Sequence, residues 1–329
     1  MITRTKARPL WRSTFGMAVA AALFTAIYKV MDNYTVHNLI TNADGLTAAF
    51  SYLVIGGWTG LILGVAFSML FGKRLIDPDF DKISIGSGKM QFQAAVTGII
   101  SAGSTLFLLW GNQYGDPSVM IALGSGMILY TALYDLLSKQ AKLKTLALPL
   151  VLIICGSVLS AYSGEIRITA MGLLLVLVVS NGLAAISEIV EQGGARNSDG
   201  VNFFIWRFFW LASSGTVLAF LVSSLRGQTE ALLQTVENSL RYIPWIGLTM
   251  FFVFLGIGLK LTAKKNDAVS VILMVLSGSV VLGYIFTIII DWIAPGTFGV
   301  SQSGSVWTIR AIGAAALILG IAKLRRSTQ

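Results

Sequence analysis

Charge is what this chain has least of. Only 12% of its 329 residues are Asp, Glu, Lys or Arg, against about 25% in a soluble globular domain. A shortage spread over the whole length excludes a chain that lives in water. Cysteine is almost absent: Cys155 stands alone inside an apolar run, which excludes a disulfide framework and a cysteine metal site. His37 is the single histidine, so zinc and general-base chemistry built on histidine pairs is excluded too. No glycine-lysine phosphate loop, GxSxG elbow or HExxH occurs, which argues against an ATP-driven pump. The sequence implies no cofactor, no metal, no catalytic residue and no nucleic-acid partner, although the net charge is +9.

What is present is hydrocarbon, 55% of the residues. A membrane-spanning helix needs about 20 mainly apolar residues. About ten segments meet that need: 14–34, 46–71, 91–111, 117–137, 145–162, 168–191, 201–224, 242–262, 268–291 and 304–323. The predicted fold is an all-α integral membrane protein. The basic run Arg4, Lys6, Arg8 and Arg12 resembles the start of a signal peptide, but the apolar run after it lacks a small-residue cleavage site and reads as a retained first helix. Positive charge then sets orientation. Alternate connections hold 18 Lys and Arg on one side, with Lys260, Lys264 and Lys265 counted there, and 3 on the other: Arg167, Arg226 and Arg241. Both termini are therefore expected in the cytoplasm of a multi-pass cell-membrane protein.

Internal echoes suggest a duplication. Ala26–Asp32 (AIYKVMD) is echoed by Ala185–Glu191 (AISEIVE), Asp116–Tyr130 by Asp267–Tyr284, and Leu152–Gly156 by Ala316–Gly320. Five helices per half would invert the second half. The expected domains are a tail at 1–13, a first repeat at 14–162 and a second, inverted repeat at 168–324, a common transporter plan with its site near the midplane.

Intramembrane ionisable groups are the functional candidates, because each costs roughly 2.5–3.5 kcal/mol at a helix centre. Lys29 shares a helix face with Thr25 and Asp32. It either snorkels to the outer interface and pairs with Asp32 or faces a cavity. Glu188 stands at the echo of Lys29 and shares a face with Asn181; it is a solvated helix end or a carboxylate for proton coupling or gating. Arg207, among Trp206, Phe208 and Phe209, is a cation–aromatic cluster or a site residue. Arg310 would meet an anionic solute or a carboxylate such as Asp291. Tyr130 and Tyr134, with Asp135 nearby, would supply an aromatic-polar lining. Gly56, Gly60 and Gly64 repeat every four residues, as in close helix packing within the fold or between two protomers of a homodimer. Asp77–Asp81 (DPDFD) lacks the glycine and final glutamate of a calcium loop and reads as a solvated turn.

Four stretches resemble the drug/metabolite transporter superfamily in its ten-helix EamA type. Phe24–Val30 is similar to the end of that family's first helix, and Phe203–Phe209 to the arginine-centred start of the second helix of a repeat. Asn112–Ser125 resembles the turn and small-residue helix after the third, and Ile309–Gly320 the last helix. The prolines that family members carry in the fourth and ninth helices are missing, as is a first-half counterpart of Arg207. The resemblance implies a secondary transporter, not an enzyme, working by alternating access on a small organic solute such as an amino acid or related metabolite. The bilayer, a proton or a counter-solute would be its other partners. The alternatives are a membrane-embedded enzyme or lipid-handling protein, which should gather several polar residues at one depth, and a non-transporting scaffold. Intramembrane charges that appear scattered over both leaflets favour a pathway.

Overall fold

The computed structural model describes residues 13–35, 39–40, 44–111, 123–140, 142–160, 162, 169–265, 267–293 and 303–328. Among these the chain is all helix. The long elements are α1 (Thr14–Tyr34), α2 (Gly45–Ile76), α3 (Gly88–Gly111), α4 (Met127–Leu137), α5 (Leu143–Ser160), α6 (Ala170–Asn197), α7 (Gly200–Leu225), α8 (Ile243–Lys264), α9 (Val269–Leu276 and Gly278–Ile293) and α10 (Gly304–Thr328). Eight of them, α1, α2 and α5 to α10, are long and apolar enough to cross a membrane. The protein is a multi-pass helical membrane protein by that measure. The expected Asp116 echo and the resemblance at Asn112–Ser125 fall largely outside the described residues.

Side chains that cap the helix starts match the sequence. Ser13, Asp44, Thr169 and Asp199 accept backbone hydrogen bonds at the starts of α1, α2, α6 and α7, as short polar side chains do at N-caps. α8 lies at the centre, against α1 and α2. The largest core cluster, with Phe203, Phe204, Phe208, Met250 and Phe254, binds α7 to α8. The glycine stripe of α2 packs within the fold. A Cβ at Gly56 would lie 3.2 Å from Met250, at Gly60 2.6 Å from Phe208, and at Gly64 3.2 Å from Phe204. The third sequence echo has a direct structural meaning: Leu152–Gly156 of α5 and Ala316–Gly320 of α10 belong to two helices that pack on each other, through Gly156, Gly313 and Gly320.

Two connections differ from the sequence expectation. The Asp77–Asp81 turn is not simply solvated. Asp77 is buried and accepts the Gly200 amide at the start of α7 at 2.7 Å, and Lys265 also donates to it. Phe80 is buried as well. The turn thus ties the end of α2 to α7 and to the segment after α8, where a helix N-terminus attracts a carboxylate. The 225–241 connection contains a short helix, Thr229–Glu237, whose Leu232 is fully buried.

Arg226, just before that helix, pairs with Asp44 at 3.0 Å in an exposed setting. Burial pushes the Asp44 carboxyl up, but the Thr47 amide and Arg226 outweigh it and hold it below its ordinary value of 3.8. A carboxyl depressed on folding stabilises above its unfolded pKa and loses that contribution as pH falls through the folded one. Asp44→Asn is therefore expected to lower Tm slightly at neutral pH, as an exposed pair worth about 0–1 kcal/mol would. The gap to wild type should close below roughly pH 4. A gap that widened on acidification would refute this sign.

Candidate functional site

Lys260 and Lys264, counted above among loop cations, do not lie in a loop. They occupy the last turns of α8, i and i+4 apart, and both are buried. Glu188 and Glu191 are three apart on α6 and present their carboxylates to the same place. Lys260 Nζ lies 3.0 Å from Glu188 Oε1 and 3.1 Å from Glu191 Oε2. Lys264 pairs with both carboxylates. Arg207 of α7 completes the group, its Nε 3.2 Å from Glu191 Oε1, an ion-pair separation without hydrogen-bond alignment. Each charge thus offsets the desolvation of another, the condition under which buried ions are tolerated.

Shorter polar side chains fix this group to α3. Arg207 Nη2 donates to Ser101 Oγ at 3.1 Å, Ser101 and Ser187 hydroxyls are 2.9 Å apart, and Ser187 donates to the Thr97 carbonyl at 3.2 Å. Gln192 Nε2 donates to the Asp267 carbonyl at 2.7 Å and holds the segment after α8 against α6. Arg207 is therefore a member of an ionic network, not an isolated cation on aromatic rings.

α1 brings the remaining charges. Lys29 interacts electrostatically with Asp32, Lys260 and Glu188, and Tyr28 with Lys260, Asp32 and Glu188. Tyr52 of α2 donates its hydroxyl to Asp32. By surface area Lys29 is exposed. Among the described residues no carboxylate comes within 4.0 Å of its ammonium, so the expected local pair with Asp32 does not form. The charges that looked scattered over two leaflets converge: Lys29, Asp32, Glu188, Glu191, Arg207, Lys260 and Lys264 form one polar centre. Lys29 and Glu188, expected near opposite faces, interact electrostatically in that same centre.

The other candidates lie elsewhere. Tyr130 donates to the Leu177 carbonyl at 2.9 Å and Asn181 to the Leu123 carbonyl at 2.9 Å; the first joins α4 to α6 and the second ties α6 to the residues just before α4. Tyr134 is half-buried on α4. Arg310 donates from Nε to the Tyr162 carbonyl and sits 4.3 Å above the Tyr284 ring; the Asp291 side chain is outside the described residues. Among the described residues no hydrogen bond or ion pair joins these four to the charged centre. The sequence reading missed Lys260 and Lys264 and named Asp135 only as a neighbour of Tyr130 and Tyr134. Asp135 is buried and accepts the Ser270 amide at 2.8 Å, at the start of α9. The usable signal was the matching spacing of two acids on α6 and two lysines on α8, which could be neutralised only by facing each other. No group of His, Cys, Asp and Glu suited to a metal ion occurs among the described residues.

No protein-family model and no curated protein matches the chain. A solved structure described only as "Crystal structure of protein" is similar, with a TM-score of 0.58 over 93% of this chain and 96% of its own at 16% identity. That likeness shows a shared fold and carries no activity.

Proposed function

We propose that this chain is a secondary transporter of the drug/metabolite transporter type. Its ten helices α1 to α10 would all cross the membrane as two inverted five-helix repeats, 14–162 and 168–324. Both termini would be cytoplasmic, and a small organic solute such as an amino acid or related metabolite would move by alternating access. The observation that carries the reading is the charged centre. Lys29 and Glu188, at echoed positions of α1 and α6, interact electrostatically within the same centre, where a solute would be met by both halves.

The pattern of helix partners supports the repeat. Adding five to each helix number turns the α1–α8 contact into α6–α3, α2–α8 into α7–α3, and α1–α9 into α6–α4, while α2–α7, α4–α9 and α5–α10 map onto themselves; all nine contacts occur. A pseudo-twofold axis accounts for that pattern. Moving Lys260 and Lys264 out of the loop count leaves 16 basic residues on the cytoplasmic side against 3, so the orientation stands.

The convergence of polar groups at one depth also favours a second reading, a membrane-embedded enzyme. Against it, both glutamates are already engaged by two or more cations, which leaves neither poised as a base or nucleophile. Purified protein in proteoliposomes separates the readings. A transporter is expected to accumulate a labelled amino acid or metabolite unchanged, with uptake responding to an imposed proton or counter-solute gradient. Chemically altered product, or no solute flux under any gradient, would sink the proposal.

A further inference from the structure

Three ammonium groups reach the charged centre, and they differ in one respect. Lys260 and Lys264 each sit on two carboxylates. Lys29 sits on none within 4.0 Å among the described residues, and of the three it alone is exposed. The acid that could have taken it, Asp32, is engaged by Tyr52 instead. Formal charge points the same way. Three cations, Arg207, Lys260 and Lys264, face two carboxylates, Glu188 and Glu191, and Lys29 balances Asp32 in sign only. One positive charge is left in excess. An uncompensated charge in a low-dielectric interior is costly, and an anion entering beside Lys29 would relieve it. Phe24, Tyr28 and Tyr52 pack against the same core cluster.

We infer that the solute carries an anionic group of the carboxylate class and that the Lys29 ammonium binds it. This rests on the transporter reading for the word solute, but the binding chemistry does not. A charge-assisted hydrogen bond to a carboxylate explains why a lysine is held unpaired at this depth, where a structural lysine would be paired like its two neighbours.

The test is thermal stabilisation of the full-length protein in detergent by compounds that share a skeleton and differ in charge. The probes are 3-phenylpropionate, L-phenylalanine, phenethylamine and 3-phenylpropanol, with valerate, L-norvaline, butylamine and butanol as an aliphatic set. Stabilisation is expected from compounds bearing a carboxylate and not from the amines or alcohols. Lys29→Met should weaken apparent affinity about tenfold or more, equivalent to ~1.4 kcal/mol, and Lys29→Arg should retain most of it. Melting temperatures of the unliganded variants show whether each is folded.

Stabilisation by amines or alcohols, an undiminished response in Lys29→Met, or no response to any carboxylate would overturn the inference. So would a Lys29-dependent response to added phosphatidylglycerol alone, which would assign the anion to a lipid headgroup. Carboxylate binding without flux in proteoliposomes keeps this inference and removes the transporter reading. Flux confined to amines or neutral compounds does the reverse.

Discussion

Glu191→Ala is expected to be among the most damaging single substitutions in this protein. The Glu191 carboxylate is fully buried and faces Arg207, Lys260 and Lys264 together. Its removal leaves Glu188 alone against three cations that cannot reach water. Breaking a buried ion pair from one side costs about 3–5 kcal/mol, a large share of a typical total stability of roughly 5–15 kcal/mol. The loss should appear as a strongly lowered Tm and a reduced yield of monodisperse protein in detergent. Glu191→Gln keeps the shape and loses the charge, so it should be nearly as harmful, which assigns the effect to charge and not to packing. Glu191→Gln combined with Lys264→Met removes one charge of each sign and should recover part of the loss, with a coupling within the usual range of about 0.5–3 kcal/mol for contacting residues. If Glu191→Ala melted within a degree or two of wild type, the ionic network would not exist as described.

Gly313→Val should produce a loss of similar size by steric means. A Cβ at Gly313 would lie 2.4 Å from the Ser160 amide nitrogen and 2.7 Å from the Leu159 carbonyl carbon. These are backbone atoms and cannot rotate aside, so α10 must move away from α5. Gly156 meets the same crossing from the other helix, with a Cβ 2.6 Å from the Leu317 nitrogen. Overpacking costs about 1–3 kcal/mol or more, and a backbone clash in a membrane helix pair belongs at the top of that range, because close approach is what lets such helices associate. Gly304→Val, at the start of the same helix, is the control, since nothing lies within 4 Å of its Cβ. Equal melting temperatures for the two variants would contradict this crossing.

The helices were legible because hydropathy is local: each apolar run must satisfy its own backbone in lipid and can do so only as a helix. All eight apolar spans overlap segments read from hydropathy, and α9 is continuous in hydropathy although its helix breaks at Ser277. Lys29, Asp32, Glu188 and Arg207 were legible as candidates because charge in an apolar run is conspicuous. Tyr130, Asn181 and Arg310 stood out as polar groups in apolar runs, yet their partners are backbone carbonyls elsewhere in the chain. Nothing in their own segments distinguishes a polar group that fastens two helices from one that faces a cavity.

By itself the sequence determined that the chain is helical, membrane-bound and poor in the side chains of metal or nucleophilic chemistry, since composition and hydropathy need no partner to be read. Tertiary structure decided which charges meet. Lys260 and Lys264 read as cytoplasmic loop cations, and only the packing of α8 against α6 and α7 turns them into the counter-charges of Glu188 and Glu191. It also decided that Lys29 has no carboxylate within 4.0 Å among the described residues. Pairing between side chains 69 to 76 residues apart depends on how helices cross, and crossing is set by the small residues and aromatic side chains at their contacts, which no single segment contains.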